Sequence, residues 1–429
     1  MASAVIEFAS NTLTSLFHVL TLSAFRPLAP PPSGTNTNTN TDDGNTRIKN
    51  TMVNIVIVGG SFAAMGTAHR ILQKAAKTPG IADVKVTLVS RDSHFYWNLA
   101  ATRATVQGKI PDEKIFQSIP EGFAKYGSDK FQFLLGSATG VDVQGKNLTV
   151  AATTTEGGTE EISVAYNVLI LATGTHTKVD SPYKSRGTTE KTKEALHQLQ
   201  ARVKDAKTIV VAGAGPTGVE LAGEIADGYG SSKKVILLTG SATVLNGYTS
   251  RMITNATKYL GILGVEIRAS SIVETTNALP DGKTEIVFAT GQKLTTDVYI
   301  PTYGVVPNSS YLSADMLDER GFINVDDYLV VKGAKDVYAI GEVSNCEPMN
   351  FLSLEAQSKH MANNAVLIAS GKPTLPYKKN TVKMIGVCVS KNYATGHFNS
   401  IPLPSFLLIR LRKVYFMDWL PGRVDGSGY

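Results

Sequence analysis

Two short β-branched runs, each followed by a glycine turn and then by helical spacing, organise the hydrophobic pattern of this chain. Residues 53–58 read VNIVIV, the composition of a strand buried on both faces. They run into Gly59-Gly-Ser-Phe-Ala-Ala64, then a stretch with helical periodicity over 65–76, then a second strand over 84–89. Strand, glycine turn, helix and strand in that order make a βαβ unit. The same order returns at Thr208. Residues 209–212 lead into Gly213-Ala-Gly-Pro-Thr-Gly218, with a helix predicted over 219–226 and a strand over 235–238. Two more apolar strands end in small-residue turns, NVLILATG at 167–174 and DVYAIGE at 336–342, the latter followed by a predicted helix over 353–370. The fold class is therefore α/β, with two Rossmann-like dinucleotide-binding domains and a small C-terminal region.

The first 52 residues stand apart from this pattern. Leu13, Leu16, Phe17, Leu20 and Ala24 fall on one stripe of a helix. Three readings are open: a packed terminal helix, a helix lying on a membrane surface, and a targeting signal. No Lys or Arg precedes Arg26, which argues against a secretory signal, and a single arginine beside Glu7 is poor for a mitochondrial presequence. Pro27 and the run Pro30 to Pro32 stop any helix, and Asn/Thr-rich 34–46 reads as a linker. The expected location is the cytoplasm or a membrane face, with the mitochondrion left open.

Composition removes several function classes. With 429 residues, 43% hydrophobic and 18% charged, the chain is not disordered and is long enough for two or three domains. No window reaches the roughly 18 uninterrupted apolar residues of a membrane-spanning helix. The net charge of +6 comes from scattered Lys and Arg, so no nucleic-acid partner is implied. Only Cys346 and Cys388 are present, without a CxxC pair, and His94, His176 and His360 lack ligand spacing, so no metal is expected. No nucleophilic triad is visible either. The sequence does not set the oligomeric state.

A glycine turn between strand and helix binds a diphosphate because glycine lets the backbone come close. Free N–H groups and the helix dipole then attract the negative charge. The second turn fills all three positions with Gly213, Gly215 and Gly218; the first keeps Gly59 but has Ser61 and Ala64 at the other two. The acid that usually holds the adenosine ribose is absent from both units, whose second strands end at Ser90 and Thr239. Ser90 can still hydrogen-bond a ribose hydroxyl, and Thr239-Gly-Ser241 leaves room for a 2′-phosphate without offering an arginine. NADH and NADPH both stay open.

Together, GGSFAA at 59–64, HFYWNLAATRA at 94–104, LATG at 171–174, GAGPTGVELAGEI at 213–225, VVPN at 305–308 and VYAIGE at 337–342 resemble the two-dinucleotide-binding-domain flavoproteins. The chain is most similar to their apoptosis-inducing-factor-like, ferroptosis-suppressor-like branch, which is related to type II NADH dehydrogenases. The resemblance implies an FAD-binding domain over 53–178, an inserted NAD(P)H-binding domain over 179–290, the rest of the FAD domain over 291–370 and a C-terminal region over 371–429. It places Gly59, Ser61, Phe62 and Ala63 on the FAD diphosphate, Arg103 on the flavin cofactor and Ala138 against the adenine. Thr173 and Gly174 form the turn beside FAD. Gly341 and Glu342 end the late strand at the ribityl chain, with Glu342 where the family carries aspartate. Glu220 would be a nicotinamide-side acid or a helix-dipole partner. Glu355 and Gln357 would flank the flavin or lie on helix surface.

The resemblance implies an FAD-dependent NAD(P)H oxidoreductase that passes electrons to a quinone or another small acceptor. Two alternatives remain beside it: a flavin dehydrogenase or oxidase of a small metabolite, and a redox-poor binding protein on the same fold. Residues 403–416 mix large apolar groups with Arg410, Arg412 and Lys413, which suits a membrane surface or a packed element with a basic outer side.

Overall fold

The computed structural model describes residues 52–429 apart from 82 and 180, with the side chains of 412–417 also left aside. The stripe expected at 13–24 and the linker up to 46 lie outside the described residues. The first unit is built around β1 (Val53–Val58), whose β-branched residues favour the extended backbone. It is followed by helix α1 (Phe62–Ala75) and then by β2 (Val84–Ser90). β3 (Phe131–Asp142), β4 (Asn147–Thr153) and β5 (Thr159–Ala165) continue the sheet as an antiparallel flap. The chain then returns to the middle of the sheet as β6 (Val168–Leu171), parallel to β1, and leaves it through β7 (Thr175–Thr177). Ile55, Ile57 and Leu169 are fully enclosed by this arrangement, as their uninterrupted apolar pattern requires.

The second unit opens with α2 (Thr189–Asp205) and β8 (Thr208–Ala212), followed by α3 (Pro216–Tyr229), β9 (Lys234–Leu238) and β10 (Glu266–Arg268). A three-stranded antiparallel ribbon, β11 (Val273–Ala278), β12 (Thr284–Phe288) and β13 (Lys293–Thr296), precedes β14 (Val298–Pro301). β14 pairs in parallel with β8, Ile209 opposite Val298 and Ala212 opposite Pro301. The four-stranded order is β10-β9-β8-β14, so this sheet runs to Pro301, past the boundary expected at 290. The ribbon hides the true end: its alternating polar strands look like the close of a domain, and the apolar strand follows them.

The chain then crosses back. β15 (Val305–Pro307) pairs antiparallel with β7, and β16 (Val337–Ala339) lies parallel to β6, giving the seven-stranded order β16-β6-β1-β2-β3-β4-β5. α4 (Phe351–Ala369) lies against α1. The C-terminal region adds β17 (Met384–Cys388), β18 (Ala394–Phe398) and β19 (Ile401–Pro402) as a separate antiparallel sheet. Two helices finish it, α5 (Ser405–Met417) and α6 (Leu420–Asp425). α6 closes over α1: His69 Nε2 meets the Val424 carbonyl at 2.8 Å, and the imidazole stacks on Phe123 at 3.9 Å.

Candidate functional site

Where the interior strands β1 and β2 end, side by side at the carboxyl end of the sheet, a cavity of about 580 Å³ opens, within the usual range for a small-molecule site. Gly59 has φ +136°, and a Cβ there would stand 2.4 Å from the Ala172 carbonyl oxygen, so only glycine lets β1 turn this close to β6. Ser61 caps α1 in extended conformation, but its side chain makes no capping bond, and the first turn of α1 carries no acid. The leading N–H groups of α1 are thus left for a ligand. Gly59, Ser61, Phe62, Ala63, Ser90, Ala138, Thr173, Gly174 and Glu342, all singled out in the sequence, line this one cavity.

Their environments differ. The Ser90 hydroxyl donates to the Asp92 carbonyl at 2.9 Å and accepts from the Asp92 N–H at 3.0 Å, so it is already held in a local turn. The Asp92 carboxylate accepts from Ser185 Oγ at 2.8 Å on both oxygens, and burial pushes its pKa upward against that hydrogen bonding. Thr173 is fastened to the crossing segment: its hydroxyl donates to the Asn308 carbonyl at 2.7 Å, and Asn308 Nδ2 donates back to the Thr173 carbonyl at 2.8 Å. His176 Nδ1 lies 2.7 Å from Asn308 Oδ1. Glu342 Oε2 accepts from Thr175 Oγ1 at 3.0 Å and pairs with Lys184 Nζ. Phe62 meets Trp97 at 5.0 Å and Phe351 at 6.2 Å, giving the cavity an aromatic end.

Other predicted residues lie elsewhere. Gly341 does not line the cavity, and its N–H donates to Gln357 Oε1 at 2.8 Å. Gln357 is wholly buried, so it supports the turn from behind. Glu355 binds Arg70 at 2.6 Å and Arg423 at 2.8 Å; burial raises its carboxyl, but the two guanidinium groups outweigh that and hold it below the usual range. Arg103 is turned away from the cavity, and its Nε and Nη2 both reach Glu224 Oε1, at 2.9 and 2.7 Å. Glu220, one turn earlier on α3, accepts from the Cys388 N–H at 3.2 Å and from Thr102 Oγ1 at 3.5 Å. Glu220 and Glu224 therefore join the second unit to its neighbours.

The second turn is built in the same way with fewer compromises. A Cβ on Gly218 would stand 1.7 Å from the Gly213 carbonyl oxygen, so α3 begins hard against the turn only with glycine there. Thr302 Oγ1 donates to the Gly213 and Ala212 carbonyls at 2.9 and 3.0 Å and braces the turn from β14. Gly215 caps α3 without any side chain, space beyond it is open, and Pro216 removes one N–H that would have no partner. Thr239 is held locally, its hydroxyl 3.2 Å from the Thr243 carbonyl and accepting from the Ser241 N–H at 3.2 Å.

Sequence reasoning passed over Asp92 and Lys184, which also line the cavity. Asp92 carried a weak signal, being an acid two residues beyond a strand end. Lys184 carried none, because it sits in an aperiodic connection and meets Glu342 only through the fold.

Two open helix N-termini at the ends of parallel strands define a protein with two dinucleotide sites on one chain. The chain belongs to the pyridine nucleotide-disulphide oxidoreductase family, whose model matches residues 53–381. It is 50% identical to Oxidoreductase ptaL of Pestalotiopsis fici over 88% of this chain and 100% of that protein. With Ferroptosis suppressor protein 1 of Xenopus tropicalis the identity is 26%, over 83% of this chain and 91% of that one. The solved structure of the sulfide:quinone oxidoreductase from Aquifex aeolicus shares the fold, with a TM-score of 0.70 at 14% identity over 87% and 92% of the two chains. The protein is an FAD-dependent NAD(P)H oxidoreductase, and the two turns fit the diphosphates of its two cofactors. Despite the family's name, Cys346 and Cys388 are both buried and neither is in a disulfide.

Proposed function

We propose that the chain takes a hydride from NAD(P)H onto FAD and delivers the electrons to a quinone-like acceptor. The observation that carries this reading is the pairing of two uncapped helix N-termini, α1 and α3, in units joined through Arg103 and Glu224. Gly59, Ser61, Phe62 and Ala63 would hold the FAD diphosphate, Ala138 the adenine end, Thr173 and Gly174 the middle, and Glu342 the ribityl hydroxyls. Gly213, Gly215 and Gly218 would hold the NAD(P)H diphosphate. When bound, the flavin supplies hydride acceptance and electron release, while the protein orients the rings and excludes water. Phe62, Phe351 and Leu354 give the cavity an apolar end suited to that work.

Electrons would leave directly to the acceptor, since neither cysteine is in a disulfide and burial pushes the Cys346 thiol up to about 11. A quinone acceptor is supported by what the similar Aquifex aeolicus protein is named for, a sulfide:quinone oxidoreductase. It is supported too by the C-terminal region, where Ile401 and Phe406 are 62% and 74% exposed and exposed Arg410 follows Phe406 by one helical turn. Apolar side chains next to a cation suit attachment to a membrane face. Among the described residues no helix is long and apolar enough to cross a membrane. The test is to reduce the enzyme anaerobically with NAD(P)H and mix it with a short-chain quinone or with oxygen. Reoxidation much faster with quinone supports the acceptor; equal or slower reoxidation rejects it.

A further inference from the structure

Residues 181–187 form a strap between the two units, and it is fastened on both sides of Lys184 by contacts that do not involve that side chain. Tyr96 OH donates to the Pro182 carbonyl at 2.8 Å, and Asn98 Nδ2 donates to the Tyr183 carbonyl at 3.0 Å. The Tyr183 ring is buried, with its hydroxyl 3.3 Å from Thr105 Oγ1. The next two residues turn to two different carboxylates: Lys184 Nζ pairs with Glu342, and Ser185 Oγ lies 2.8 Å from both oxygens of Asp92. Asp92 stands just beyond the end of β2, the adenosine side of a dinucleotide on this fold. Glu342 stands next to Gly341, whose added Cβ would lie 3.1 Å from that of Ala63 at the start of α1. The strap therefore brings Lys184 into the cavity that the glycine turn lines, with Ser185 on the adenosine end and the Lys184 ammonium on Glu342.

We propose that Lys184 is the counter-ion for the diphosphate of the flavin dinucleotide. The inference rests on FAD occupying this cavity. A diphosphate carries more negative charge than the half charge of a helix N-terminus can balance. The arginine that the resemblance assigned to the flavin cofactor is taken by Glu224. Arg91 also lines the cavity, but it sits beside Asp92 at the adenosine end. The Lys184–Glu342 pair is not needed to fasten the strap, and both side chains are partly exposed, where an ion pair adds little stability. An ammonium has three N–H donors, so Lys184 can keep Glu342 and still donate to phosphate oxygens.

The test uses the full chain stripped of flavin, with FAD and riboflavin titrated separately by fluorescence into the wild type, Lys184→Met and Lys184→Arg. FAD affinity should fall about tenfold or more in Lys184→Met, as expected for loss of a charged hydrogen bond, and largely recover in Lys184→Arg. Riboflavin, which has no phosphate, should bind all three within about twofold, and the salt dependence of FAD binding should weaken in Lys184→Met. Equal loss of FAD and riboflavin would mean that the lysine only shapes the strap, and unchanged FAD binding would also overturn the proposal. A wild type that binds neither flavin removes the cavity assignment, and the lysine's role with it.

Discussion

Arg103 and Glu224, 121 positions apart in sequence, form a hydrogen-bonded ion pair of 2.7 Å between the two nucleotide-binding units. The carboxylate is only 3% exposed. Removing one partner of such a pair leaves a buried charge uncompensated. Arg103→Ala should therefore destabilise the protein by about 3 kcal/mol, seen as a lower thermal midpoint. In the Arg103→Ala/Glu224→Ala double variant the loss should be smaller than the sum of the single losses. Additive losses would show that the contact couples nothing.

Gly218 and Gly215 separate fold from binding within the second turn. Gly218→Ala drives a Cβ into the Gly213 carbonyl and should cost stability as well as NAD(P)H oxidation. Gly215→Asp points into open space, so the thermal midpoint should hold within a few degrees. Its carboxylate, however, would repel the diphosphate at the start of α3. Oxidation of NAD(P)H should fall by at least tenfold while bound flavin is retained. A Gly215→Asp enzyme with normal NAD(P)H kinetics would contradict the placement of that nucleotide.

His69 makes the fold sensitive to mild acid. Burial lowers its pKa from 6.5 to about 4. Above pH 6.5 the imidazole is neutral folded and unfolded, and it costs nothing. As pH falls from 6.5 toward 4 the unfolded chain takes up the proton first, so stability declines by up to about 3 kcal/mol, each tenfold difference in proton affinity being worth about 1.4 kcal/mol. His69→Gln should start less stable and show a flatter dependence between pH 7 and 5. Denaturant midpoints across that range give the comparison, and parallel curves would contradict it.

Membrane attachment through the C-terminal region should depend on Phe406 and Ile401. The Phe406→Ser/Ile401→Ser variant removes exposed apolar area and should leave flavin content unchanged. Cosedimentation with anionic liposomes should drop severalfold. Unchanged cosedimentation would move the attachment elsewhere in the chain.

The parallel core was legible because both strand–turn–helix units are local, with the pattern and the glycines within a dozen residues of each other. The helices begin at Phe62 and Pro216, three residues before the apolar spacing alone marks them, since the turn already fixes their first N–H groups. The end of the second unit was not legible. β14 joins its sheet across the intervening ribbon, and only pairing with Ile209 to Ala212 shows it. The resemblance assigned Arg103 to the flavin cofactor and gave no sign of Glu224 as its partner, because nothing in the 120 residues between them marks two surfaces that meet. Asp92 and Lys184 were missed for the same reason: each depends on a neighbour supplied by tertiary structure, Ser185 for one and Glu342 for the other.

The most direct test of hydride transfer between the two sites is the visible spectrum of the purified protein under anaerobic conditions, recorded before and after adding NADH or NADPH. Flavin bands near roughly 370 and 450 nm should be present and should bleach with at least one nucleotide. Gly215→Asp should keep the bands and lose the bleaching. Bands that stay oxidised with both nucleotides would contradict the account and favour a flavin enzyme acting on a small metabolite. A protein that holds no flavin even after incubation with FAD would contradict it at the first site.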